Sequence, residues 1–157
     1  MKVKGIKKLK KGLHQREIAL HESLDDAVKK LAYIALTEAR KNLRRNKNID
    51  TGQLLNSLDA QRIEYAKWGV GASVKHMWYI EYGTRPHKPP LRPLVEWVKR
   101  KNKLYGQKGY SKAYPIAKAV QKTIELKGTK PYPYLRPAKD TALKQASRII
   151  RATVRGE

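Results

Sequence analysis

The chain has no cysteine, which excludes disulfide frameworks, thiol catalysis and cysteine-based zinc sites. Acidic residues are scarce: 13 Asp and Glu stand against 36 Lys and Arg, a net charge of +23 over 157 residues. No uninterrupted apolar run approaches the roughly 18–20 residues needed to span a bilayer. The opening stretch from Met1 to Leu9 is basic, without the apolar core or small-residue cleavage site of a signal peptide. The hydrophobic content of 40% suffices for a packed core, so disorder throughout is not expected. The length suits one domain, residues 1–157, made in the cytoplasm.

A surplus of one sign this large repels itself in the compact state and calls for a compensating partner: nucleic acid, an acidic protein surface or an anionic membrane. The cations are distributed over Lys2–Lys11, Arg40–Lys47, Lys99–Lys103 and a final set, Lys144, Arg148, Arg151 and Arg155. That last spacing of four, three and four draws one stripe along a helix. Such a stripe is either a solvated face or a contact strip for phosphates or carboxylates. A membrane partner ranks last, because no helix sets bulky aromatics opposite its cations.

Periodicity predicts the elements. Ile6, Leu9 and Leu13 suggest a short amphipathic helix at the start. A long helix is expected from Gln15 to Asn46, with Leu20, Leu24, Val28, Leu31, Ile34/Ala35 and Ala39 on its apolar stripe and a restart at Ser23/Asp26. Asn46–Asn48 should end it, and Asp50 with Gln53 should cap a short helix carrying Leu54, Leu55 and Leu58. Period-two alternation of Ile63 and Tyr65, then of Trp68, Val70, Ala72 and Val74, predicts a hairpin turning at Ala66-Lys67. A two-stranded ribbon needs a third strand, the long helix or another subunit to be stable. His76–Tyr82 reads as a short aromatic helix stopped by a left-handed Gly83.

The segment from Gly83 to Pro93 is echoed by Gly128 to Pro137, each with a glycine stop, an extended proline-rich path and a Leu-Arg-Pro entry into a helix. Two helices are expected between the copies, one with Leu94, Trp97 and Val98, the other with Ala113, Ala117, Val120 and Ile124. A mobile loop, Leu104–Ser111, should separate them, and Leu91–Lys127 reads as a removable helical insertion. A last helix runs from Pro137 to about Val154. The fold class is therefore α+β: a long N-terminal helix packed on a small antiparallel sheet, a helical insertion and a C-terminal helix.

Catalytic patterns are not found. His14, His21, His76 and His87 are scattered outside any metal-ligand spacing, and the acids do not pair as in a two-metal site. Gly69-Val70-Gly71 is not followed by Gly-Lys-Ser/Thr, and Ser57, Ser73 and Ser111 lack a nucleophile-elbow context. Glu81 has the most apolar neighbours of any acid and reads as an interface or capping carboxylate. Neither an enzyme nor a cofactor or metal is expected. Tyr132 and Tyr134 beside Lys130 and Arg136 could stack bases, but Pro131, Pro133 and Pro137 favour a rigid packing elbow.

Three motifs taken together resemble a known family. Asp50-Thr51-Gly52-x-Leu54-x-x-Ser57-Leu58 is similar to its D-T-G-x-L-x-x-S-[IL] element. Trp78-Tyr79-Ile80-Glu81-Tyr82-Gly83-Thr84 is similar to Y-A-x-[YF]-[VI]-E-[YF]-G-T, with Met77-Trp78 where Tyr-Ala is usual. Pro133-Tyr134-Leu135-Arg136-Pro137-Ala138 is similar to P-[FY]-L-R-P-A. The chain resembles the gp-ten-like neck proteins of tailed bacteriophages, head–tail joining or tail-completion proteins, over nearly all its length outside Leu91–Lys127. The resemblance implies a non-enzymatic virion protein forming a ring, typically six-fold, at the neck between the portal-side connector and the tail tube or tail terminator. It also implies that the three motifs serve assembly, and that the basic surfaces meet acidic virion proteins or, transiently, passing DNA. The competing expectation is a free, basic nucleic-acid-binding protein.

Overall fold

A computed structural model describes residues 5–46 and 49–155. The lysines at 2 and 4, and positions 47 and 48 of the expected helix stop, lie outside the described residues. The elements in order are α1 (Ile6–Arg45), α2 (Gln53–Ser57), β1 (Leu58–Glu64), β2 (Lys67–Ala72), α3 (Met77–Tyr82), α4 (Leu91–Lys101), α5 (Gly106–Lys127) and α6 (Leu135–Arg155). This is an α+β arrangement with a two-stranded antiparallel sheet. By contact the chain divides into two compact units. Of the described residues, the first comprises 5–39, 59–71 and 135–155, and the second 40–46, 49–58 and 72–134.

In the first unit, α1 is one unbroken helix where the sequence suggests two. Ser23 does not cap a restart: its hydroxyl donates to the Ala19 carbonyl one turn back at 2.7 Å, a bond compatible with a continuing helix. Burial begins only at Ala27, followed by Ala32, Leu36 and Ala39. Ile6, Leu9 and Leu13, expected on the apolar face of a short first helix, and Leu20, expected on the stripe of the long one, are exposed.

The hairpin is held by a residue that periodicity does not single out. One carboxylate oxygen of Asp25 accepts from the Ala66 backbone N–H at 2.9 Å, Arg62 Nε at 3.2 Å and the Trp68 indole at 3.3 Å. Burial pushes this carboxyl up, but the three donors prevail and hold it below its usual value. The acid thereby anchors a turn in which Ala66 adopts φ of 50°. The burial phase of β1 differs from expectation by one residue. Leu58 and Ala60 are the buried positions of β1, whereas Ile63 and Tyr65 face outward. Tyr65 instead stacks on His21 with ring centroids 5.0 Å apart.

In the second unit, α4 and α5 form a helical hairpin around Val95, Val98, Ala113 and Ala117. The loop expected at Leu104–Ser111 is largely helix, because α5 starts at Gly106. Its first turns lie so close to the Leu104 backbone that a side chain at Gly109 would collide with it. The connection is left with residues 102–105 alone.

The echoed glycines explain how this hairpin is closed. Thr84 and Thr129 form an isolated antiparallel bridge, each N–H donating to the other's carbonyl at 3.2 Å, with their hydroxyls 3.0 Å apart. Gly83 has φ 72° and ψ −172°, and Gly128 has φ 69° and ψ −160°. This is not the left-handed helical conformation expected at Gly83 but a region essentially confined to glycine. A Cβ at Gly83 would strike the Thr129 carbonyl, and one at Gly128 the Thr84 carbonyl. Both copies of the Leu-Arg-Pro echo start a helix with proline third in it, where a backbone N–H has no intrahelical partner.

Candidate functional site

In the second unit the second motif and the start of the third, Pro133-Tyr134, meet at a buried acid. On the short helix α3, Met77 and Glu81 are one turn apart and face inward, while Trp78, Tyr79 and Tyr82 face out. Glu81 is 1% exposed, and its Oε2 accepts the Tyr134 backbone N–H at 2.7 Å. The need follows from the sequence Pro131-Tyr132-Pro133-Tyr134, in which alternate residues lack an N–H and cannot pair continuously with a strand. The remaining groups find individual partners. The Tyr132 N–H donates to the Ile80 carbonyl at 2.8 Å. Asn42 Nδ2 donates to the Tyr134 carbonyl at 3.1 Å, and Asn46 Nδ2 to the Pro133 carbonyl at 3.4 Å. Asn42, buried near the end of α1, is not singled out by sequence reasoning; a lone polar residue on an otherwise apolar stripe is the signal that could have found it.

Tyr134 is fully buried and serves as a packing elbow rather than a stacking platform. Among the described residues its hydroxyl has no hydrogen-bond partner. Burial, with the negative Glu81 as a lesser cause, pushes the phenol up to about 12.

The Asp50-Thr51-Gly52 motif acts differently from the expected cap. Gly52, at φ 81°, occupies the N-cap of α2 without a side-chain cap bond. Asp50 reaches α4 instead, where Arg100 grips it in a fork: Nη2 to Oδ2 at 2.6 Å and Nε to Oδ1 at 3.1 Å. This guanidinium bond, strengthened by the charges of Arg100 and Lys101, holds the Asp50 carboxyl below its usual value against the effect of burial. Asp50, Thr51, Gly52, His76, Ile80 and Arg100 line a recess of about 270 Å³.

Beside it lies an open cleft of about 470 Å³ with Ile80, Ile124 and the Thr84–Thr129 pair among its lining residues. Tyr79, Trp97 and Tyr132 also line it, together with Lys101, Lys130, His76 and His87. Trp78 and Tyr82 stack on each other at 5.9 Å and are both more than half exposed.

The other expected site residues lie in the first unit. Leu135, Arg136 and Pro137 form the first turn of α6, and Lys144, Arg148, Arg151 and Arg155 are exposed along it. A separate groove of about 590 Å³ opens among His14, Glu17, His21, Glu22, Arg62 and Tyr65. Among the described residues no group of three or more His, Asp or Glu could hold a metal ion, and no helix is long and apolar enough to cross a membrane. Compared with protein-family models, curated proteins and solved structures, the chain matches none.

Proposed function

We propose that this chain is a structural virion protein of a tailed bacteriophage. In this reading it forms a ring at the neck that joins the portal-side connector to the tail tube. The observation that carries the reading is the two-sided character of α3. One face is committed inward through Glu81, while Trp78, Tyr79 and Tyr82 are turned out, each more than half exposed. Exposed aromatics on a rigidly held helix suit a protein–protein contact. Exposed Ile6, Leu9 and Leu13 on α1 add to the surface that neighbours would cover, as does a sheet with no third strand among the described residues. A ring supplies such neighbours through head-to-tail contacts that close. The cations on α6 then answer acidic surfaces of adjoining virion proteins.

Electron microscopy of particles carrying a labelled copy of this chain tests the reading. Density for the label is expected at the junction of head and tail; its absence from purified virions would refute the proposal.

A further inference from the structure

We propose that the open cleft of the second unit is a binding site for single-stranded nucleic acid. The ligand stacks its bases on Tyr79, Trp97 and Tyr132 and sets its phosphates against Lys101 and Lys130. This inference does not rest on the neck reading.

The construction of the cleft carries it. Trp97 and Lys101 are one turn apart on α4 and therefore lie on the same face of that helix. Tyr132 is fixed by the bond from its backbone N–H to the Ile80 carbonyl, and Tyr79 precedes Ile80 on α3. Three rings from three separate segments thus line one recess, with Tyr79 60%, Tyr132 46% and Trp97 36% exposed. Charge complementarity selects the ligand. Asp50 is the sole acid among the lining residues, and Arg100 already neutralises it with a two-pronged bond. Lys101 donates to the Ile49 carbonyl at 3.3 Å and Lys130 has no acid beside it in the cleft wall other than the Arg100-bound Asp50, so the wall keeps a positive balance, and His76 and His87 add hydrogen-bonding capacity.

A positive groove combined with aromatic platforms is the chemistry by which single strands are held without sequence readout. A duplex keeps its base faces stacked internally and has none to offer the rings. A purely acidic peptide such as poly-glutamate would answer the lysines but has no flat group to set against the three rings. The volume of about 470 Å³ lies within the range of sites for nucleotide-sized ligands.

The test is fluorescence anisotropy of a labelled oligothymidylate of about ten nucleotides, with the full chain, over a series of salt concentrations. Trp97→Leu and Tyr132→Leu are each expected to weaken binding about tenfold and leave the salt slope unchanged. Lys101→Gln and Lys130→Gln should each reduce the magnitude of that slope by about 0.7. Trp97→Tyr keeps a stacking ring and should bind nearly as the parent, which separates stacking from damage to the fold. Neutralising Lys144 and Arg148, which do not line the cleft, should leave both the slope and the dependence on the rings unchanged. Leucine variants that bind like the parent would overturn the proposal, because binding would then be electrostatic and diffuse. Poly-glutamate that binds with the same dependence on the rings would overturn it in favour of an acidic protein segment.

Discussion

At the scale of single residues, the second unit contains a buried acid with a defined partner and a buried phenol with none among the described residues. Glu81 takes the place of a missing strand partner for Tyr134. Glu81→Ala would leave a buried N–H unpaired and should cost about 1–3 kcal/mol, whereas Glu81→Gln keeps an acceptor and should cost less. Urea unfolding of the two variants measures the difference. Tyr134→Phe removes a hydroxyl that is buried without a bond and should stabilise the protein by about 1 kcal/mol. Its effect also depends on pH. Below the phenol's ordinary value of 10 both folded and unfolded forms are neutral, so the group contributes no slope. Between 10 and about 12 the unfolded chain loses the proton that the folded chain keeps, so stability falls as pH rises. The phenylalanine variant should lack that component, which the difference between the two proteins' unfolding midpoints from pH 9 to 11.5 would show.

At the scale of elements, two connections govern the α4–α5 hairpin: the threonine bridge at its base and the Asp50–Arg100 fork. Gly83→Ala and Gly128→Ala each force a side chain into the opposing carbonyl from a backbone conformation that only glycine adopts comfortably. Each should destabilise by at least about 1–3 kcal/mol, measured by thermal unfolding. The Asp50 carboxyl is held below its ordinary value of 3.8, so the contribution of the fork is complete above that pH. It is lost as pH falls through the lower folded value. Both partners are partly exposed, so solvent screening limits the gain to the modest range of surface ion pairs. Asp50→Asn should show a shallower loss of stability between pH 4 and 2 than the parent, read from urea midpoints.

At the scale of the whole molecule, a net charge of +23 sets the terms of association. Self-repulsion weakens with salt, so separate copies approach one another more readily as ionic strength rises. Contacts made through cations and a partner's carboxylates weaken under the same conditions. In the proposed neck role, charge reversal at Lys144 and Arg148, both exposed on α6, is expected to block the joining of heads to tails in an extract complementation assay. Normal joining by the reversed protein would remove α6 from the proposed contact surface.

The sequence alone determined the features that are local. Apolar spacing placed α4, α6 and the body of α1, though not its unbroken start or most of the residues it buries, and the Gly-Thr and Leu-Arg-Pro echoes marked where helices stop and start, because capping and proline geometry act within a few residues. Tertiary structure decided what depends on partners far along the chain. Asp50 could serve as a cap by its position, yet Arg100, fifty residues on, offered a stronger bond. Ile63 and Tyr65 had the right period for burial, but the side of the ribbon that is buried follows from where β1 meets its surroundings, which alternation cannot specify. The pairing of the two echoed glycine stops was equally hidden. A symmetric bridge between Thr84 and Thr129 exists only once the helical hairpin brings its ends together, and no local rule carries that distance.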